Sequence, residues 1–193
     1  MTRTFCFLFA VLFFVPGVLA QTEGDHFNAG LYGNLLRLEP GDVNLAGVGA
    51  RVSFNVVPIV QLEAESACNF DQAYSTPFHG PSGTVSIATT NFRSVDALFG
   101  PKLETNRGPV RLFVTAKGGF INFLLSAAPA TIGSYTSSFG VRGANAYAVV
   151  YPGGGAEAFW GPIGVRVDIG DEIYFNNGGH NNLKVAFGPT IRF

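Results

Sequence analysis

Ten ionisable side chains, Arg51, Glu63, Glu65, Asp96, Arg111, Lys117, Glu157, Arg166, Asp168 and Arg192, fall on the polar face of segments in which polar and apolar residues alternate. Charges withdrawn from water must be paired or hydrogen-bonded. The first expectation is therefore a salt-bridged network; the second is a narrow ion path that a rearrangement of the network would open. Arg51 and Glu65 are expected nearly opposite one another across a hairpin, with Arg166 and Asp168 one hairpin from Glu157.

The residues that could support other chemistry are placed poorly for it. Nucleophilic catalysis needs a hydroxyl or thiol beside an oriented base. His26 precedes the first strand pattern, and His79 and His180 fall in expected loops with no Ser two residues away and no carboxylate placed to orient the ring. His180 with Asn176, Asn177, Asn181 and Asn182 offers one good metal ligand and several poor ones. Gly153-Gly154-Gly155 is followed by Ala156-Glu157-Ala158, not by the Lys and hydroxyl of a phosphate loop. No enzyme activity, cofactor or metal is expected. Cys68 stands on an apolar face, where a cysteine is packing material.

The elements that must position the charges are strands. Charged residues make up 13% of the chain, Phe numbers 19 and Gly 25, and polar and apolar residues interleave at a period of two. Eight strands are expected, over residues 27–38, 46–56, 59–71, 84–103, 110–120, 145–158, 164–175 and 183–193. The second alternates most cleanly, with Val48, Ala50, Val52 and Phe54 against Gly49, Arg51, Ser53 and Asn55. In the fifth, Phe113 falls among the polar residues and breaks the pattern. Glu39-Pro40-Gly41-Asp42 and the Phe159-Trp160-Gly161-Pro162 corner read as turns. Longer connections are expected over 72–83 and 121–144, with a Gly/Asn loop over 176–182.

Residues 1–20 carry one early cation, Arg3, an apolar run from Phe5 to Val15, a Pro16-Gly17 break and small residues ahead of Gln21, the pattern of a cleaved signal peptide. Residues 21–193 then form one domain. Nothing after Ala20 is apolar over the roughly 20 residues a membrane helix needs. The formal net charge of −1 offers no cationic field for nucleic acid.

Alternation also suits a soluble sandwich, so the polar face decides. It is dominated by Gly, Ser, Thr, Ala and Asn with isolated charges, which suits the tight interior of a barrel of about eight strands. The apolar face would then meet lipid, and closure would satisfy every backbone group. Phe54, Phe159, Trp160, Tyr174 and Phe175 lie near strand ends, where aromatic girdles form. Short connections at one end and long ones at the other repeat the asymmetry of outer-membrane barrels. Phe193 ends the last strand, with Ile191 and Phe187 before it on the same face, an arrangement similar to the terminal signal by which such barrels are recognised for assembly.

On the Phe99-Gly100-Pro101-Lys102 strand, the Gly153-Gly154-Gly155 strand and the stretch from His180 to Phe193, the chain resembles the small outer-membrane β-barrel domain family, the OmpA/OmpX-like eight-stranded barrels. The resemblance covers residues 21–193. It implies an all-β, eight-stranded, antiparallel, up-and-down transmembrane barrel standing alone, without a peptidoglycan-binding domain. It also implies residence in the bacterial outer membrane, a monomer surrounded by lipid, contact with the barrel-assembly machinery through the C-terminal strand, and an extracellular ligand of unknown identity. The expected role is structural or surface-interacting. A narrow pore and a soluble periplasmic barrel binding an apolar ligand are the alternatives.

Overall fold

The computed structural model describes residues 26–39, 43–79, 85–105, 108–125 and 146–193. Eleven strands follow in chain order: β1 (Phe27–Leu38), β2 (Val43–Val57), β3 (Val60–Asn69), β4 (Gln72–His79), β5 (Val85–Glu104), β6 (Val110–Leu125), β7 (Ala146–Trp160), β8 (Ile163–Asp171), β9 (Ile173–Phe175), β10 (Gly179–His180) and β11 (Asn182–Arg192). Among the described residues no helix is long and apolar enough to cross a membrane.

Eight of these strands form a closed antiparallel ring in the order β1, β2, β3, β5, β6, β7, β8, β11 and back to β1. The other three prolong its walls at one end. β4 takes over beside β5 where β3 stops, from Gln72 opposite Phe92. β9 continues the β8 wall against β7, and β10 folds back on β9. Closure brings the ends of the described chain together. The His26 N–H donates to the Phe193 carbonyl at 2.9 Å, and the Phe27 and Phe193 rings lie 6.2 Å apart.

The period of two assigns the faces. Outward stand Leu31, Leu35, Val48, Phe54, Phe99, Leu112, Val114, Val167, Ile169 and Phe187, all large, apolar and exposed, while the small and charged residues between them point inward. A free sheet edge would leave backbone groups unpaired, and ring closure removes it. At the end that holds the termini the connections are short: Pro58-Ile59 between β2 and β3, and Gly161-Pro162 between β7 and β8, where Gly161 takes the left-handed conformation with φ of 65°.

Two strands carry the same Phe-Gly-Pro triplet, Phe99-Gly100-Pro101 in β5 and Phe187-Gly188-Pro189 in β11, four walls apart and so on opposite sides of the ring. Proline has no N–H for a ladder. Both ladders skip there: β5 and β6 step from Phe99 opposite Gly118 to Lys102 opposite Thr115, and β1 and β11 from Gly30 opposite Thr190 to Gly33 opposite Phe187. Each glycine lets the neighbouring backbone close in. A Cβ on Gly100 would lie 2.2 Å from the Ala116 carbonyl oxygen, and one on Gly188 2.0 Å from that of Leu31.

Towards the loop end the two faces of β1 and β2 exchange character. Leu36, Leu38, Val43 and Leu45 point inward at 0–3% exposure, whereas Arg37 and Asn44 between them are exposed. Leu98, Ile121, Phe123, Val149, Tyr151 and Tyr174 complete this inner apolar cluster. On β1 and β2 the wall is here apolar within and polar without, while Phe120, Val150, Phe175 and Leu183 keep the outside of the other walls apolar.

The strand expectations need three corrections. Residues 72–79 of the expected 72–83 loop are strand β4, because the hairpin continues its ladder beyond the ring; residues 80–84 lie outside the described residues. Residues 121–125 continue β6, with Ile121 and Phe123 packed in the inner cluster; residues 126–145 lie outside the description. The expected 176–182 loop contains β10, and Asn182 starts β11. Residues 1–25, with the expected signal peptide, also lie outside the described residues.

Candidate functional site: the barrel lumen

Among the described residues thirteen charged side chains are buried in the lumen: Arg51, Lys102, Arg111, Lys117, Arg166 and Lys184 with Glu63, Glu65, Asp96, Glu104, Glu157, Asp168 and Glu172. They converge because each occupies an inward position of its wall, and the ring is narrow enough for opposite walls to touch.

Arg166 on β8 sits at the centre. Its guanidinium donates to both Glu63 oxygens, at 2.5 and 2.9 Å, to Glu157 Oε1 at 3.1 Å and to Asp168 Oδ2 at 3.0 Å. Asp168 also accepts from Arg51. Lys102 lies 2.7 Å from both Glu157 and Glu104, and Glu104 in turn receives Arg111 at 3.3 Å. One layer nearer the loops, Lys117 reaches Glu63 and Glu65 at 2.6 Å each. Lys184 reaches Glu172 at 2.9 Å, Asp96 at 3.0 Å and Glu65 at 3.4 Å.

Aromatic rings stand between the cations. Arg166 and Lys102 lie 4.2 and 5.0 Å from the Phe113 centroid, Arg51 4.1 Å from Tyr32, and Lys117 and Lys184 5.4 and 5.6 Å from Tyr151. A ring face attracts a cation through its quadrupole and adds more as water is excluded. This explains Phe113: it breaks the sequence pattern because it serves the charges, not the outer surface. Amides extend the polar lining on either side. Asn34 donates to Asn69 and Asn69 to Ser94, both at 2.8 Å, above the charges; below them Asn28 reaches Ser53 and Gln61 at 3.4 Å each.

Of the ten charges singled out in the sequence, nine meet in this network. Arg192 is half-buried at the rim, where its Nε donates to the Gly161 carbonyl at 2.8 Å and its guanidinium lies 4.7 Å from the Phe159 ring. Four members, Lys102, Glu104, Glu172 and Lys184, are not among the charges that the sequence singles out. The period of two marks Lys102, Glu104 and Lys184 as inward, and carrying it through would have found them.

Two expected girdle residues are corrected. Phe159 is 3% exposed and points inward between Arg111 and Arg192; Tyr174 is 1% exposed, packs against Phe123 and stacks on His180 at 4.7 Å. Each sits one position from an outward aromatic, so nearness to a strand end could not separate Phe159 from Trp160 or Tyr174 from Phe175. Phe54, Trp160 and Phe175 are outward and exposed, as are Phe187, Ile191 and Phe193. His180 lies in β10 with Nε2 3.2 Å from the Asn176 carbonyl. Among the described residues no group of three or more His, Cys, Asp and Glu is placed to hold a metal ion.

No family model matches the chain, and no curated protein matches it either. Solved structures do. Ail, the attachment invasion locus protein of Yersinia pestis, in complex with the heparin analogue sucrose octasulfate, is 14% identical, with 87% of this chain and 97% of that chain covered at a TM-score of 0.52. The N-terminal β-barrel domain of Pseudomonas aeruginosa OprF is 14% identical over 86% and 97% of the two chains at 0.51, and Neisserial surface protein A 10% identical over 87% and 96% at 0.55. With its closed ring of eight antiparallel strands, the chain has the fold of the small outer-membrane β-barrels.

Proposed function

We propose that this protein resides in a bacterial outer membrane as a monomeric, non-catalytic barrel whose lumen is closed to solutes and whose work is done at the loop end. The observation that carries the reading is the pairing of two barriers in series: a layer of mutually neutralising buried charges and, beyond it, the apolar cluster of Leu36, Leu45, Ile121 and Phe123. An ion crossing the first would have to break strong pairs, and crossing the second would have to leave its water behind. Large apolar residues standing exposed around the outside favour lipid over water as the surrounding medium. Phe54, Trp160 and Phe175 suit the membrane interfaces, and outward Phe187, Ile191 and Phe193 suit recognition of the last strand by the barrel-assembly machinery.

A barrel that conducts nothing acts through what it presents, and connecting segments are where such proteins carry function. The role is a structural or surface-interacting one, with an extracellular ligand bound by the loops. The test is cell fractionation followed by planar-bilayer recording of the purified protein. Recovery in the outer membrane with no conductance supports the reading; steady conductance overturns it in favour of a narrow pore. The pore reading draws on the density of charge in the lumen, and it requires that neutralising Glu63 and Glu65 change the current. Recovery in the soluble periplasm would favour the apolar-ligand carrier.

A further inference from the structure

The ring divides at the turn after Glu104 into two runs of four walls: β1, β2, β3 and β5, then β6, β7, β8 and β11. The chain itself joins the runs at β5 and β6. At the opposite seam, between β1 and β11, no turn joins them: they are held by the strand ladder, which Pro189 interrupts, by the Thr190 hydroxyl donating to the Ala29 carbonyl and by the Phe27–Phe193 ring pair. Each run ends on a Phe-Gly-Pro strand. Asp96 stands four positions before Gly100 and Lys184 four before Gly188, so equivalent places in the two runs carry opposite charges, and these meet across the lumen at 3.0 Å.

Eight of the thirteen ion pairs among the described lumen residues join the two runs, and five lie within one run: Lys102 with Glu63 and Glu104, Arg166 with Glu157 and Asp168, and Lys184 with Glu172. All six buried lumen cations reach a carboxylate of the other run: Arg51 meets Asp168, Lys102 meets Glu157, Arg111 meets Glu104, Lys117 meets Glu63 and Glu65, Arg166 meets Glu63, and Lys184 meets Glu65 and Asp96. The runs are unbalanced separately. The first buries two cations and four carboxylates, the second four cations and three carboxylates. A run buried without its complement would hold unpaired charge at heavy cost, and two like runs brought together would repel.

We infer that the lumen charges are a closure lock: they make each half of the chain the required partner of the other and hold shut the β1–β11 seam, which no chain connection spans. Ion pairing within a half would stabilise that half whether or not the ring is closed. Arg111–Glu104 spans the β5–β6 hairpin and forms without closure, whereas Arg51–Asp168, Arg166–Glu63 and the pairs of Lys184 with Glu65 and Asp96 join walls on either side of the seam, so these act on the seam itself. This inference is independent of whether the lumen conducts.

Lys184 supplies a matched comparison. Asp96 in the other half and Glu172 in its own half are both 0% exposed and lie 3.0 and 2.9 Å from the same ammonium. The full chain carrying Asp96→Asn or Glu172→Gln is extracted in detergent, and the temperature at which the unheated, fast-migrating form disappears is measured. Each variant is measured again with a disulfide across the seam, from Leu35→Cys and Val185→Cys, which face one another on β1 and β11, with Cys68→Ser to prevent mispairing. Asp96→Asn is expected to lower the transition by roughly 5–10 °C more than Glu172→Gln, and the oxidised seam to abolish that difference.

Equal losses in the two variants, or a difference that survives the disulfide, would overturn the inference. If reduced Asp96→Asn yields no folded protein, the readout becomes refolding of the oxidised chain from urea into detergent. Recovery of the fast-migrating form supports closure, and failure with the seam already linked overturns it.

Discussion

Arg166 holds Glu63 through two hydrogen bonds, one to each carboxylate oxygen, at 2.5 and 2.9 Å across the lumen from β8 to β3. The fork geometry of a guanidinium matches a carboxylate in a way that an ammonium cannot. Arg166→Lys keeps the charge but loses the fork and the flat stacking on Phe113. It should destabilise the barrel by about 1–3 kcal/mol, and Arg166→Met by about 3–5 kcal/mol because three carboxylates lose a partner. Denaturant unfolding in detergent, followed by tryptophan emission from Trp160, would show the ranking; equal stability of Arg166→Lys and the parent protein would remove Arg166 from the centre of the network.

The charge layer is expected to block ions by pairing. Glu63→Gln with Glu65→Gln leaves Lys117 and Arg166 short of partners and the lumen cationic. The parent protein should show no stable conductance, and the double variant should show either none, because the apolar cluster still seals the loop end, or a small anion-selective current. A cation-selective current in either protein would contradict the arrangement described.

The inner apolar cluster should behave as a packed core. Leu45 is 0% exposed among Leu36, Leu98, Ile121 and Phe123. Leu45→Ala is expected to cost about 2–4 kcal/mol by leaving a cavity. Substitution at Asn44, exposed on the other face of the same strand, should cost almost nothing. Thermal or denaturant midpoints of Leu45→Ala and Asn44→Ala, measured side by side, test the reversal of faces at this height.

The outer surface sets a third kind of test. Val114 is outward and 59% exposed near the middle of the outward run from Val110 to Phe120 on β6. If that face meets lipid, Val114→Arg should destabilise the inserted barrel by about 2–4 kcal/mol, whereas Asn44→Arg near the loop end should lie within about 1 kcal/mol of the parent. Equal effects in lipid would mean that the apolar band does not mark the bilayer.

How much of this was legible depended on whether period-two alternation could be read without interruption. Arg51 opposite Glu65 and Glu157 opposite Arg166 are registers that hairpin pairing dictates once the turns near Pro58 and Gly161 are found. The eight walls followed from the same signal. The inner cluster was not legible, because alternation says which residues share a face but not that the face exchanges character: Leu36 and Leu38 continue the side of Tyr32 and Asn34 with apolar residues. Phe113 looked like an error in a polar face until Arg166 and Lys102 were found against its ring. Strand β4 was hidden by a composition rich in Ser, Thr and Pro, in which the ladder to β5 overrides local preference.

Because His26 and Phe193 meet at one rim, the ring has no structural reason to begin at β1. A circular permutant, with the two ends joined by a short linker and new ends opened in the Gly161-Pro162 turn, would contain the same eight walls and the same lumen. It would move the break in the covalent circuit from the β1–β11 junction to the β7–β8 junction, where Glu157 faces Arg166. The location of the junction that no connection spans would thus become a property of where the chain is cut, separable from the architecture it builds.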